Sequence, residues 1–278
     1  MPELPELEVV CEVLQRRVVG QTIQDVRIIP PGGPIVVRDL ARLGFAAALT
    51  GAMLQQVARR GKFLIFTFQA AGPPIYLALN PKLSGRLQLA GPAEKLRPKT
   101  HVVFALSNSQ QLRYLDQKQM GQLYLVRNLQ TVPDYANLGP EALEISLDEF
   151  RARLKPFRGE IKGVLTRGEF VAGIGNAYAD EILWQARLHP YRKRTQLTAD
   201  QVEDLYVAMR VTLLAAIEKI RTQMQEAIDQ EPRDFMSIHM KTGQPCPRCG
   251  TPISLVGANQ RITNFCRTCQ PGGLIKGM

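Results

Sequence analysis

Apolar residues near the N-terminus recur at intervals of three and four positions. They are Leu4, Leu7, Cys11, Leu14 and Val18. This spacing places them on one face of an α-helix. The pattern therefore predicts a helix from residue 2 to about residue 18, with Cys11 on its buried face.

Short runs of β-type residues follow this helix, and Gly/Pro clusters separate several of them. Runs of this kind without alternating helices favour antiparallel sheets, and here they suggest a β-sandwich. The predicted strands cover residues 22–29, 53–58, 62–68, 75–79, 101–106, 111–115 and 122–126.

The second half of the chain has the pattern of helices. Ser146 with Glu149, and Thr198 with Gln201, have the spacing of capping boxes, in which the two side chains satisfy first-turn N–H groups. Apolar residues at helical spacing after Thr198 predict one long helix. The Pro- and Gly-containing stretch 131–140 is interpreted as a linker. The fold class predicted from these patterns is α+β.

The net charge of the chain and its distribution indicate which class of molecule the protein binds. The chain of 278 residues has 35 Lys and Arg against 25 Asp and Glu, a net charge of +10. Residues 51–115 hold nine bases and one acid, and residues 241–278 hold five bases and no acid. A surface adapted only for solubility mixes both signs, so this pattern favours a nucleic acid, with an anionic membrane surface and an ordinary solvated face as alternatives. The acidic N-terminus does not fit a secretory signal, and no apolar run is long enough to span a membrane, so we expect a cytosolic protein.

Four of the five cysteines form two pairs near the C-terminus. Cys246 and Cys249 form one C-x2-C pair, Cys266 and Cys269 the other, with sixteen residues between the pairs. Four thiolates at this spacing indicate one structural Zn²⁺ held on a hairpin, with no open position for catalysis. Two unrelated cysteine pairs, or an iron–sulfur site, are the alternatives. Arg261 lies in the loop of this hairpin and is a candidate contact for DNA phosphates.

The N-terminus carries the candidate chemistry. Removal of Met1 would give Pro2 a free secondary amine, whose ordinary pKa lies far below that of lysine. Such an amine can attack an aldehyde-like carbon and form an iminium ion. Glu3 and Glu6 are three residues apart, close to this amine, and can transfer protons to or from a sugar oxygen. Proline and glutamate in a first helical turn are also ordinary capping residues, and this remains the alternative.

Four motifs together resemble the formamidopyrimidine-DNA glycosylase family, which includes endonuclease VIII, over essentially the whole chain. They are PELPE at 2–6, RRGKFL at 59–64, VAGIGNAYADE at 171–181, and the zinc pairs enclosing RITNFC at 261–266. The PELPE start is closer to the formamidopyrimidine branch than to the PEGPE-like start of endonuclease VIII.

The resemblance implies a bifunctional DNA glycosylase and AP lyase of base excision repair. Such an enzyme removes oxidised or ring-opened bases through an N-terminal proline Schiff base and nicks the strand by β- and δ-elimination. By this resemblance Pro2 is the nucleophile, Glu3 the general acid/base, Glu6 a second proton-handling carboxylate, and Lys62 a lysine near the phosphate and lesion. The implied partner is damaged double-stranded DNA, and the implied protein is a bacterial, nucleoid-associated cytoplasmic monomer without a membrane partner.

The resemblance also implies DNA-binding roles. Asn176 corresponds to a phosphate-binding asparagine of the helix–two-turn–helix motif, and Arg261 to an arginine on the same phosphates. The domains implied are a catalytic β-sandwich domain with its N-terminal helix at 1–130, a linker at 131–140, a helical DNA-binding domain at 141–240 and a four-cysteine zinc-finger hairpin at 241–278.

The chain departs from the family pattern at the positions that, in the family, fill or face the gap left in the DNA by the extruded base. The family has HLGMSG where this chain has NPKLSG at 80–85, so Leu83 replaces the methionine that fills the void left by the extruded base. The family has DPRRFG where this chain has DQKQMG at 116–121, so Lys118 and Met120 replace the arginine facing the orphaned cytosine and the wedging phenylalanine. Glu169 occupies a position where a phosphate-facing lysine is common. We therefore expect an altered preference for the base opposite the lesion, because lysine cannot copy the bidentate geometry of arginine.

A further departure lies between the long helix and Cys246. The chain appears shorter there, lacks the Gly-rich loop that covers 8-oxoguanine, and carries an acidic stretch at 223–235 instead. This predicts weaker discrimination for 8-oxoguanine. Two alternatives stay open: a non-catalytic or lyase-only damaged-DNA-binding member of the same fold, and an endonuclease VIII-like preference for oxidised pyrimidines.

Overall fold

The computed structural model describes residues 1–69, 72–257 and 262–272. The chain divides into two compact units. Unit 1 comprises Met1–Asn137 with Ile220–Pro232, and unit 2 comprises Leu138–Lys219 with Arg233–Met278. The sequence-based domain boundaries stay a prediction.

Unit 1 begins with a helix and continues with two sheets. The helices are α1 (Leu4–Arg17), α2 (Gly33–Val36) and α3 (Phe45–Leu49); the strands are β1 (Ile23–Ile28), β2 (Val37–Asp39), β3 (Met53–Arg60), β4 (Phe63–Gln69), β5 (Ile75–Asn80), β6 (Gly85–Ala90), β7 (Thr100–Leu106), β8 (Gln111–Asp116) and β9 (Gln122–Val126). One sheet has the order β1-β7-β8-β6 and the other the order β2-β9-β5-β4-β3. Helix α1 packs beside β3 and β4.

The two sheets share one apolar core. A small cavity of about 20 Å³ is lined by side chains from both sheets and from the residue after α1; among them are Val18, Phe66, Leu77, Phe104 and Leu112. Burial of these apolar faces drives the pairing of the sheets. The predicted α+β class and the N-terminal β-sandwich are confirmed.

Several details of the predicted strands were wrong. β2 and β6 were not predicted, and β2 pairs parallel with β9, although antiparallel sheets were expected throughout. The expected strand at 62–68 begins instead at Phe63. Lys62 lies in the two-residue turn between β3 and β4, where Gly61 has φ +57°, and the strands pair from Arg60 to Phe63. A glycine is favoured at such a left-handed position.

Within its described residues, unit 2 contains four further α-helices and a short hairpin. They are α4 (Leu147–Leu154), α5 (Ile161–Leu165), α6 (Asn176–Gln185) and α7 (Ala199–Met224), followed by β10 (Ser254–Val256) and β11 (Thr263–Phe265). Both predicted capping boxes contribute bonds, since the N–H of Glu149 donates to Ser146 Oγ at 3.2 Å and the N–H of Gln201 donates to Thr198 Oγ1 at 3.3 Å. The predicted long helix is α7, whose last turn belongs to unit 1. Helix α6 begins at Asn176, inside the motif at 171–181.

Candidate active site and zinc centre

Residues 2–7, around the start of α1, are buried. The helix begins at Leu4, so Pro2 precedes it and does not lie in the first turn as expected, and Glu3 occupies the N-cap position. Glu3 and Glu6 are each 1% exposed. The backbone N–H of Glu3 donates a 2.9 Å hydrogen bond to Glu6 Oε2. The capping alternative is therefore realised for Glu6, whose carboxylate is bound to the peptide N–H that directly follows Pro2.

Pro2 and Glu6 line one pocket of unit 1. The other polar side chains around it are Arg86 of β6 and, from the segment after α7, Gln230 and Glu231. The ammonium of Met1 lies 3.2 Å from Glu231 Oε1, and Glu231 also pairs with Arg86. With Met1 in place, the nitrogen of Pro2 belongs to a peptide bond and has no basic lone pair.

Lys62 is close in sequence to a residue that lines this pocket. It is half-buried in the turn before β4, and Leu64 of β4 lines the pocket. Lys62 itself does not line the pocket with Pro2 and Glu6. The structure thus brings Pro2 and Glu6 together and places Lys62 at the adjoining turn.

The three residues at the expected DNA void lie on two neighbouring loops of unit 1. Leu83 is half-buried in the turn before β6, Lys118 is exposed after β8, and Met120 is 47% exposed. Asp116 is fully buried and connects these loops, since it accepts hydrogen bonds from Ser84 Oγ and from the N–H of Lys118. A buried carboxylate with several donors is a rigid anchor, so it orients both loops as one surface.

In unit 2, hydrogen bonds hold the base of the β10–β11 hairpin against α6. Asn176, the first residue of α6, donates its side-chain amide to the carbonyl of Ile262 at 2.8 Å. Lys162 of α5 donates to the same carbonyl at 3.1 Å. Ile262 follows Arg261, which lies outside the described residues. Asn176 is therefore fixed beside Ile262, the residue directly before β11.

A buried charged cluster supports this arrangement, and sequence reasoning gave it no role. Lys162 Nζ lies 2.6 Å from Asp180 Oδ1, and His239 Nδ1 lies 2.8 Å from Asp180 Oδ2. The N–H of Asn264 also donates to Asp180 Oδ2 at 3.2 Å. The available signal was the pair of adjacent acids Asp180 and Glu181 at the end of the mostly apolar motif at 171–181.

Glu169, the acid expected to replace a phosphate-facing lysine, is exposed on unit 2. Its carboxylate lies 3.4 Å from Arg167 Nη1. Its charge is therefore partly balanced within the same loop, although an exposed pair of this kind contributes little to stability.

The four paired cysteines converge at the base of the zinc hairpin. The Sγ atoms of Cys246, Cys249, Cys266 and Cys269 all lie within 4.8 Å of one another. The separations Cys246–Cys269 and Cys249–Cys266 are 3.9 and 3.4 Å. A tetrahedron with Zn–S bonds of about 2.3 Å has edges of about 3.8 Å, so the donor set fits one zinc ion. The Nε1–H of Trp184 donates to Cys246 Sγ at 3.4 Å and orients that ligand.

These four cysteines form one structural zinc site, and the prediction is confirmed. All four positions around the ion come from the protein, which leaves none open for catalysis. Cys11, the fifth cysteine, is 8% exposed on α1, and burial raises the pKa of its thiol to about 12. Its assignment to the core is confirmed.

The acidic stretch after α7 packs on unit 1, which sequence reasoning did not detect. Ile228 is 2% exposed, and three carboxylates around it each pair with an arginine of unit 1. The pairs are Glu226–Arg17, Asp229–Arg97 and Glu231–Arg86. Sequence separations above 130 residues leave no local signal for such pairs.

None of the helices in the described ranges combines the length and the apolar character that a membrane span needs.

Three family models match the chain in succession. The Formamidopyrimidine-DNA glycosylase N-terminal domain matches residues 1–123, the Formamidopyrimidine-DNA glycosylase H2TH domain matches residues 138–227, and the Zinc finger found in FPG and IleRS matches residues 243–272. The matches follow the order of sheet unit, helices and zinc hairpin.

Relatives and solved structures match this chain over nearly its full length. The formamidopyrimidine-DNA glycosylase of Symbiobacterium thermophilum is 41% identical over 98% of this chain and 90% of its own, and that of Herpetosiphon aurantiacus is 34% identical over 97% and 100%. Lactococcus lactis Fpg, solved with abasic-site DNA, superposes with a TM-score of 0.84 at 30% identity, covering 97% of this chain and all of its own. MutM in complex with DNA containing carbocyclic 8-oxo-G gives 0.85 at 30% identity, covering 98% and 100%. The chain belongs to the formamidopyrimidine-DNA glycosylase family.

Proposed function

We propose that this chain is a bifunctional DNA glycosylase and AP lyase of base excision repair, acting on oxidised or ring-opened bases in double-stranded DNA. The observation that carries the proposal is the burial of Pro2 and Glu6 at one pocket, in a chain with this family membership. The protein would act as a monomer in the bacterial cytoplasm, in association with the nucleoid.

The chemistry begins once Met1 is removed and Pro2 carries the terminal amine. Its lone pair forms a bond to the sugar C1′, the bond from C1′ to the damaged base breaks, and the base leaves with that electron pair and takes up a proton. Glu3 protonates the sugar ring oxygen, the C1′–O4′ bond opens, and the amine loses its proton to give the iminium ion.

Strand cleavage follows from the electron-withdrawing iminium. Loss of the acidic C2′ proton expels the 3′-phosphate by β-elimination, and a second elimination expels the 5′-phosphate. Glu6, oriented by its bond from the N–H of Glu3, is the second carboxylate for these proton transfers. We assign Lys62, in the turn before β4, to contact with the phosphate next to the lesion.

Holding the duplex open needs contacts on both sides of the extruded nucleotide. Extrusion costs a few kcal/mol, which phosphate contacts offset. We assign the phosphate contacts to Asn176 and Arg261, and we assign filling of the void and contact with the opposite base to Leu83, Lys118 and Met120. The net charge of +10 supplies the attraction that is independent of sequence.

The test is strand cleavage with a panel of duplexes that differ only in the lesion and the opposite base. The expected result is cleavage at ring-opened or oxidised purines, with phosphates left on both sides of the gap. Binding without cleavage would contradict the enzymatic assignment and favour a non-catalytic member. Cleavage only at abasic sites would indicate a lyase alone, and preferred cleavage at oxidised pyrimidines would indicate an endonuclease VIII-like specificity.

A further inference from the structure

The segment after α7 brings a carboxylate to the N-terminus of the chain. The last turn of α7 and the segment after it, residues 220–232, belong to unit 1, whereas the rest of α7 belongs to unit 2. Arg221 pairs with Glu12 at 2.6 Å, and Ile228 is buried. These contacts fix the path of the segment, so Glu231 reaches the pocket that contains Pro2.

Glu231 contacts the terminal ammonium itself. Its Oε1 lies 3.2 Å from the nitrogen of Met1, its other oxygen pairs with Arg86, and its side chain is only 14% exposed. Limited exposure reduces solvent screening, so charge interactions here are stronger than on an open surface. The geometry is that of a carboxylate receiving a cationic N-terminus, with a guanidinium balancing part of its charge.

Removal of Met1 moves this N-terminus by one residue only. Consecutive Cα atoms are about 3.8 Å apart, so the new terminal nitrogen at Pro2 lies within about one such step of the old one. A carboxylate within roughly 4–6 Å of an ammonium stabilises its charged form. Three charged side chains line the pocket around this amine: Glu6 from α1, Arg86 from β6 and Glu231 from the segment after α7. Glu3 caps the same helix, and Lys62 lies in the turn before β4.

We propose that Glu231 is the ion-pair partner of the Pro2 amine and, balanced by Arg86, positions that nucleophile in the pocket. The inference rests on the proposed function, because it needs Pro2 as the terminal, reacting amine. Glu231 is a positioning residue here: it holds the ammonium and thereby sets the pH at which the neutral, reactive amine forms. Glu231 favours the ammonium, and the cation of Arg86 opposes it.

The test is the pH dependence of borohydride trapping on an abasic-site duplex, with processed protein whose N-terminus is verified by mass. Glu231→Gln removes the stabilising charge, so the midpoint of the trapping profile should fall by about one pH unit. Arg86→Gln removes the opposing cation and should raise the midpoint. Glu226→Gln removes a carboxylate from the same segment, one that pairs with Arg17 outside the pocket, and should reproduce the wild-type profile.

The outcomes distinguish the role of Glu231 from the glycosylase assignment itself. A Glu231→Gln profile that superposes on the wild type would overturn the role of Glu231 and leave the glycosylase assignment intact. If Glu231→Gln does not fold, an unshifted Arg86→Gln profile overturns the inference equally. Absence of trapping by the wild type at every pH would instead overturn the proposed function, and this inference with it.

Discussion

The side-chain amide of Asn176 donates a 2.8 Å hydrogen bond to the carbonyl of Ile262. The first residue of α6 is thereby joined to the base of the β10–β11 hairpin, directly before β11. A residue that we assign to phosphate binding thus also holds the hairpin in place. Sequence analysis identified Asn176 but gave no sign of this bond.

Asn176→Ala should therefore weaken DNA binding through two losses, the phosphate contact and the orientation of the hairpin. The expected effect on affinity for an abasic-site duplex is about tenfold, the equivalent of one hydrogen bond to a charged group. Fluorescence anisotropy at a fixed salt concentration measures it. Asn108→Ala, an exposed amide in the turn between β7 and β8, is the matched control, and equal affinities of the two variants would refute the role of Asn176.

Lys162→Met should destabilise unit 2, because it leaves the fully buried carboxylate of Asp180 without its closest cation. Removal of one partner of a buried ion pair costs about 3–5 kcal/mol. Urea unfolding followed by the fluorescence of Trp184, the only tryptophan, reports on this unit. Lys155→Met, an exposed lysine after α4, should change the free energy of unfolding little; a similar loss in both variants would speak against the buried pair.

Cys249→Ser should abolish zinc binding, since three thiolates hold the ion far less firmly than four. Metal analysis is expected to fall from one zinc per chain to none, with weaker DNA binding. Cys11→Ser is the control: Cys11 lies on α1, and its thiol donates to the carbonyl of Val57, a bond a hydroxyl can replace. Full zinc content in Cys249→Ser would contradict the four-cysteine site.

Lys118→Arg should sharpen the preference for cytosine opposite the lesion. An arginine can make two bonds to a base edge where a lysine makes one, and a bidentate contact contributes about 1–3 kcal/mol of discrimination. The ratio of cleavage rates with cytosine and adenine opposite the lesion should rise by about tenfold. Lys95→Arg, an exposed lysine after β6, should leave this ratio unchanged, and no rise in Lys118→Arg would exclude contact with the opposite base.

Local patterns predicted the elements whose signal is local. The repeat of apolar residues gave α1 and α7, and the cysteine spacing gave the zinc site. β2 was missed because it has only three residues and forms through a parallel pairing with distant β9. β6 was missed because the residues around Leu83 were compared only with a family motif and no strand was predicted after them, although Gly85–Ala90 forms a strand beside β8.

The residue types of the proposed active site could be predicted from the sequence, but the long-range contacts that complete it could not. Pro2, Glu3 and Glu6 follow from a motif that needs no long-range contact. Glu231 and Arg86 could not be predicted, because they meet only when residues after α7 pack onto a sheet more than 140 positions earlier in the chain. The acidic stretch was interpreted only by what it lacks, a lesion-covering loop, whereas its carboxylates bind arginines of unit 1.

The amine of Pro2 is the proposed nucleophile. Borohydride trapping on an abasic-site duplex, followed by peptide mapping of the adduct, tests this assignment. The processed chain is expected to give a covalent adduct on Pro2. A chain extended by one residue before Pro2, with every side chain of the pocket unchanged, is expected to give none, because its proline nitrogen stays in a peptide bond. An adduct mapped to Lys62, or equal trapping by the extended chain, would contradict the account.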